Sequence, residues 1–346
     1  MKKSLILVLV FLATMFVIAG CELEEMAETP AVSTPAPTPA PQPAPVVMSL
    51  SSLELTNKIT AEWKTSDKVF AITDPAGRGI GCAKCHDGYG FSMFKTFDPA
   101  VAGAPAYAPK HATGIDCQAC HTGQGKELME SGSVKLLFMD QPLQAGKSAM
   151  CLSCHNSNRN PKDLAAQFKA GTLTQMTYPH YGMQGAVYTG KGGMEIPGVT
   201  LPSSPMHSQI QCSNCHMPTT EEGYKSHSFK ADVEKIDKTC GTCHTGITSF
   251  DHKGFRSEMN YMLGKLKKAT MAKAGASDLT YGSGRFTFHD AKGAAIDMKM
   301  IPFEAYVGAY NWRLIALDGS LGIHNPQYSK AIVKETYKFV TGEELK

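Results

Sequence analysis

Apolar residues run through this chain in four different ways. Residues 5–20 form a mainly apolar run of 16 positions behind Met1-Lys2-Lys3. That run is too short to span a bilayer comfortably. From 29 to 45, Pro and Ala alternate with Thr, Ser and Gln. From 79 to about 250, apolar positions are scattered among Gly, Pro and Ser, and neither the strand period nor the helix period emerges. Beyond 251 a helical period appears, with Phe255, Met259, Met262, Leu263 and Leu266 on one face and lysines gathering towards the far end, where they suit the helix dipole. The pattern predicts a helix over 255–272 and a second over 303–317. A last helix starts at Asn325 as N-cap with Pro326 at the first helical position, and runs to about Val340. Residues 285–300 read as a hairpin and 50–63 as a short helix. The expected fold class is mainly α with much coil and few strands.

Cysteine explains why the middle of the chain lacks a period. Of the 11 cysteines, ten fall in five C-x-x-C-H motifs. These are Cys82-Ala-Lys-Cys85-His86, Cys117-Gln-Ala-Cys120-His121, Cys151-Leu-Ser-Cys154-His155, Cys212-Ser-Asn-Cys215-His216 and Cys240-Gly-Thr-Cys243-His244. Two thiols at this spacing add to the two vinyl groups of one haem, and the following histidine ligates its iron. A zinc site would need paired C-x-x-C knuckles without a histidine after every second cysteine. A disulfide framework would not repeat one spacing five times. Five covalent c-type haems are therefore expected, and porphyrin would supply much of the apolar core. The first cysteines are 35, 34, 61 and 28 residues apart. Those gaps are too small for independent domains, so the five haems should share one body.

Histidine supply matches the demand. The chain has 12, and the motifs consume His86, His121, His155, His216 and His244. His111, His180, His207, His227, His252, His289 and His324 remain, and five bis-imidazole irons need five more ligands. The 18 methionines suit packing against flat porphyrin faces better than ligation.

The leader ends in Ile18-Ala19-Gly20-Cys21, which looks like a lipobox. It implies cleavage before Cys21, with a diacylglycerol on its sulfur, and it uses the odd cysteine. Residues 1–20 are then a lipoprotein signal peptide. Residues 21–47 are a Pro/Ala-rich tether in the extended polyproline conformation. Residues 48–250 are a pentahaem domain, and 251–346 a C-terminal helical region carrying a distal ligand. Glu22 lacks the aspartate that marks inner-membrane retention, which points to the outer membrane, at its periplasmic or cell-surface face. The formal charge of +3 falls to +1 once Lys2 and Lys3 are removed. Each oxidised haem then adds roughly −1, because two propionates outweigh its charged centre. A mildly acidic loaded protein argues against nucleic acid as a partner.

From His207 onward the chain resembles the pentahaem cytochromes that reduce nitrite to ammonia. The matching pieces are His207 ahead of Cys212-x-x-Cys215-His216-Met217-Pro218, then His227, the motif at Cys240, a long helix, and Gly322-Ile-His324-Asn-Pro. The resemblance implies that His324 caps the fourth haem, His207 the fifth and His227 the second. The stretch around Tyr178-Pro-His180-Tyr is similar to a segment of multihaem electron-transfer cytochromes in which the histidine ligates a haem. For the first and third haems, His111 and His180 are the remaining candidates. His252 and His289 are left at the surface or free to serve a neighbouring subunit.

The chain also departs from that family. The family's catalytic haem usually has Lys where the first motif here has His86. Its active-site tyrosine follows the third motif, where Asn156-Ser-Asn-Arg-Asn stands here. An electron carrier is therefore expected, serving a quinol-linked cytochrome, a terminal reductase or other multihaem cytochromes, with a homo-oligomer or conducting filament as a further possibility. The alternative is a reductase of nitrite, hydroxylamine or a sulfur oxyanion with one open haem, with Arg78 and Lys84 near the first motif.

Overall fold

The computed structural model describes residues 50–69, 79–108 and 113–346. Cys21, the leader, the tether, Arg78 and His111 lie outside the described residues. Helix α1 spans Ser52–Lys64 and opens with a capping box. The Ser51 hydroxyl accepts from the Glu54 amide, and the Glu54 carboxylate accepts from the Ser51 amide. Four motifs sit on short helices: α2 (Ile80–His86), α3 (Cys117–His121), α4 (Ser148–Cys154, with His155 as its C-cap) and α5 (Cys212–His216). The fifth begins one residue past the helical turn Ile236–Thr239, and its own turn is closed by the His244 amide on the Cys240 carbonyl. Helical geometry suits this chemistry because both cysteines and the histidine of C-x-x-C-H fall on one side of a single turn.

The C-terminal region follows the hydrophobic pattern closely. Helix α6 is Phe255–Lys273, and its first amides are caught by Asp251 at 2.7 Å from Arg256 N and 3.1 Å from Ser257 N. The expected hairpin starts earlier than the pattern suggested. Strand β1 is Asp278–Gly282 and β2 is Arg285–His289, paired antiparallel. Ser283 and Gly284 turn between them with φ of 48° and 80°, as a two-residue type I′ turn requires. Residues 290–300 carry turns, a single antiparallel bridge from Ala295 to His289 and a 3-10 helix at Met298–Met300. Helix α7 is Phe303–Ala316 and α8 is Pro326–Thr341. The Asn325 side chain caps α8, and Gly342, at φ 81°, ends it.

Helices α6, α7 and α8 pack as a trio. Helix α7 is buried on nearly every side, through Tyr306, Val307, Tyr310, Leu314 and Ile315 among others. Gly308 makes the α6–α7 approach possible: a Cβ there would meet the Thr270 hydroxyl at 2.4 Å. One hydrophobic cluster joins Leu136, Leu152, Met183 and Val187 to Met259, Leu266, Leu314 and Ile332. A second joins Met176, Tyr178, Met194 and Ile196 to Phe286, Phe288, Tyr306 and Tyr310. The trio is thus packed onto the haem-bearing stretch, and Val47–Lys346 form one compact unit. Each fully buried Leu or Ile in these clusters stabilises the fold by about 1.5–3 kcal/mol before entropy is counted. Among the described residues no helix is long and apolar enough to cross a membrane.

Candidate haem sites

Four of the five motif histidines meet spare imidazoles. The rings of His86 and His180 have centroids 6.2 Å apart and planes at 86°. His121 and His227 are 6.4 Å apart at 22°. His216 and His324 are 6.2 Å apart at 25°, and His244 and His207 are 6.0 Å apart at 60°. A metal–nitrogen bond of about 2.0 Å on each side, plus about 1.1 Å from nitrogen to ring centre, would set two imidazole centroids on opposite sides of one metal about 6.2 Å apart. All four pairs lie within a few tenths of an ångström of that value, so the residues fit an iron between each pair. Among the described residues no group of three or more His, Cys, Asp or Glu could hold a metal ion. A porphyrin iron needs only two ligands from the protein.

Second contacts aim these rings. The Nδ1 atom of His207 is 2.6 Å from the Ile323 carbonyl, that of His227 is 2.7 Å from the Lys225 carbonyl, and that of His216 is 3.1 Å from the Phe229 carbonyl. His324 Nδ1 is 3.2 Å from Asp318 Oδ2, and Asp318 is fully buried. With Nδ1 donating, Nε2 keeps its lone pair for a metal. The His227 amide is also held, at 2.7 Å, by Glu62 of α1. Burial lowers the pKa of His86, His180 and His216 from the ordinary imidazole value, which keeps them neutral and able to ligate.

The third motif differs. His155 Nδ1 is 2.8 Å from Gln184 Oε1, but its Nε2 faces the Lys68 ammonium at 2.8 Å rather than an imidazole. Burial, and then the Lys68 charge, press the His155 pKa down to about 3. Lys68 is fixed by a short-range lattice: its carbonyl accepts from the Ile115 amide, and the Trp63 indole donates to the Ile115 carbonyl. Gly185 brings the short helix Gln184–Thr189 down on this motif, its amide 2.6 Å from the His155 carbonyl, where a Cβ would clash at 2.4 Å. Of the two candidates for the first and third haems, His180 stands at the first. His111 lies outside the described residues.

The attachment sites form a branched line. Cys154 Sγ lies 3.8 Å from the Lys84 carbonyl of the first motif, the Cys85 thiol interacts with that of Cys154, and the Cys151 thiol interacts with that of Cys212. These contacts push Cys85 and Cys151 above the ordinary thiol range and bring Cys212 down to about 6. Once the sulfurs are thioethers they no longer titrate, and what persists is their proximity. Cys120 Sγ lies 3.7 Å from Met150 Sδ on α4, and Cys215 feels Cys240 and Cys243. The third motif therefore touches the first, second and fourth, and the fourth reaches the fifth.

The two histidines expected to stay outside ligation are accounted for. His289 is tied into the hairpin region by Thr280 Oγ1 at 2.9 Å and the Gly293 carbonyl at 3.2 Å. His252 lies 4.8 Å from His244, too close for the two to flank one iron from opposite sides. Sequence reasoning did not find Lys68, Gln184, Asp318 or Glu62, because none belongs to a motif and each acts across more than 25 residues or through a partner's ring.

Residues 198–346 match the cytochrome c552 family. That stretch holds the fourth and fifth motifs and helices α6–α8. A cytochrome c-552 of Parabacteroides distasonis is 24% identical over 225 residues, which is 61% of this chain and 39% of that protein. A cytochrome c-552 of Aliarcobacter butzleri is 42% identical over 40 residues, 11% of this chain and 8% of that protein. The chain thus spans well under half the length of the curated relatives it matches. Among solved structures, the outer cell wall cytochrome OcwA is similar at 18% identity and a TM-score of 0.49, covering 81% of this chain and 50% of that one.

Proposed function

We propose that this chain, whose residues 198–346 match the cytochrome c552 family, is a multihaem c-type cytochrome and a pentahaem electron carrier with mainly bis-histidine irons. Bound haem supplies one-electron chemistry at its iron. The chain supplies attachment through Cys82 and Cys85, Cys117 and Cys120, Cys151 and Cys154, Cys212 and Cys215, and Cys240 and Cys243. His86, His121, His155, His216 and His244 are the proximal ligands. His180, His227, His324 and His207 cap the first, second, fourth and fifth irons. The observation that carries this reading is the set of four imidazole pairs at 6.0–6.4 Å. Four capped irons leave little room for substrate, and closely spaced attachment sites suit relay along the line. Pyridine haemochrome analysis of the purified protein should give five haems per chain, with low-spin iron dominating the EPR spectrum. A spectrum dominated by high-spin iron would sink the proposal.

A second reading rests on the third site, where Lys68 rather than an imidazole faces His155. An iron bound by His155 would have to take the place of the Lys68 ammonium at Nε2, and the displaced cation would then be free to hold and protonate an oxyanion such as nitrite or sulfite. Nitrite turnover with a reduced viologen, lost in Lys68→Met, would favour that reading. Export and lipid anchoring through Cys21 are part of the proposal, as is an outer-membrane location from which redox proteins are met. Mass spectrometry of the mature N-terminus, and release of a Cys21→Ser variant into the soluble fraction, test the anchor.

A further inference from the structure

Arg313 projects from α7 and is fully buried, yet among the described residues none of its Nε, Nη1 and Nη2 atoms finds a hydrogen-bond partner. Its guanidinium lies between two aromatic rings, 4.0 Å from the centroid of Tyr178 and 3.8 Å from that of Tyr281, with Tyr181 at 5.1 Å. The Tyr178 and Tyr281 rings stand at 79° to each other, so the cation is held by ring contacts from two directions and not sandwiched between parallel faces. These contacts leave the N–H groups of the guanidinium rim without an acceptor. A buried charge in that state costs several kcal/mol, and native proteins pair such groups. No carboxylate of the described residues forms an ion pair with it.

A second arginine stands in the loop after the third motif. Arg159 gives Nη1 to the Asn158 carbonyl at 2.7 Å, while its buried Nε has no partner among the described residues. The loop that carries it is strained: Ser157 and Asn158 both have positive φ, 62° and 42°, which few residues other than glycine adopt. That loop is stitched to the first site, since the His180 amide donates to the Ser157 carbonyl at 2.9 Å and the Ser157 amide to the Gly182 carbonyl at 3.1 Å. Tyr181, which flanks Arg313, also packs edge-on against the His180 ring at 6.0 Å.

We propose that Arg313 and Arg159 form a carboxylate-binding site for the propionates of the haem held at Cys82, Cys85 and His86. Propionates are planar carboxylates at the rim of the macrocycle, and a guanidinium edge binds such a group through two parallel hydrogen bonds. The site rests on the pentahaem reading above. It deepens it by assigning the first haem a positive surrounding in which an electron is held more firmly. The pairing also explains why α7 carries an arginine in a row of Tyr, Leu and Ile.

The test is an EPR-monitored redox titration of the holoprotein. The nearly perpendicular imidazoles of the first site should give its iron a large-gmax signal, distinct from the near-parallel second and fourth sites. Arg313→Gln should lower the potential of that signal alone, Arg159→Gln should lower it less, and Arg313→Lys should largely preserve it. Resonance Raman difference spectra should show altered propionate bending modes in the two Gln variants. If Arg313→Gln disrupts folding, Arg159→Gln, whose chain lies in a loop, carries the test by itself. Unchanged potential and propionate modes in folded, five-haem variants would overturn the proposal. So would a response of this signal to added nitrite or phosphate that needs Arg313, since the site would then take an anion from solution. Loss of the low-spin signal in the wild type would instead tell against the pentahaem reading.

Discussion

The haem-bearing stretch from 79 to 250 and the helical region from 255 to 341 stabilise themselves by different means. In the helical region, α6, α7 and α8 bury Met259, Leu266, Leu314, Ile332 and their neighbours against one another, and their boundaries are written in caps and periods. In the haem-bearing stretch, the motif helices are four to seven residues long, too short to be stable alone. They are held by crossing contacts, such as Cys212 N on Ser148 Oγ at 2.9 Å and Glu62 on the His227 amide. The difference teaches that one region organises the other. The helical side supplies His324 with its buried Asp318, while Gln184 joins Asp318 to His155 by donating to the Asp318 carbonyl at 2.9 Å. Two neighbouring sites are thus set by one short chain of hydrogen bonds.

The comparison breaks most visibly at the third motif. Cys151→Ser with Cys154→Ser should lower the haem count by more than one per chain, because three other motifs lean on α4, whereas Cys82→Ser with Cys85→Ser should remove only one. Pyridine haemochrome stoichiometry reads both. On the helical side, Leu314→Ala or Ile332→Ala should each destabilise the protein by about 2–5 kcal/mol in denaturant titrations while leaving the low-spin spectrum unchanged. His324→Ala joins the two regions. It should convert one iron in five to high spin by EPR, with a smaller loss of stability than the core variants. Asp318→Asn should leave that iron low-spin but raise its potential, since a neutral partner makes His324 a weaker electron donor. The smallest effect is expected for Glu62→Gln, which weakens a charge-assisted hydrogen bond to His227 at a cost of about 1 kcal/mol and should disturb only the second site. Were Glu62→Gln to scramble several haem signals, α1 would be a structural keystone and the division into two regions would be too simple.

Much of the candidate site was legible in the chain. Ten cysteines and five proximal histidines stand at a local spacing that one helical turn converts directly into geometry. The C-terminal helices were legible to within one or two residues, because Asn325, Pro326 and the apolar period at 255–266 act over short range. The hairpin was shifted because its strongest signal, the Ser283-Gly284 turn, sits between strands whose alternation is brief. His180 was read as a free candidate between two irons, and its ring stands against His86 because the strained loop after the third motif is sewn to the segment that carries it.

What the sequence determined by itself is therefore the local chemistry: how many motifs there are, which sulfurs and imidazoles they offer, and where helices start and stop. Those properties depend on neighbours within about one turn. The tertiary structure decided which distant imidazole faces which motif, that Lys68 stands before His155, that the third motif is the branch point, and that Arg313 is buried with no anion beside it among the described residues. Each of these joins residues many positions apart, and only packing of the helical trio against the motif helices brings them within bonding distance.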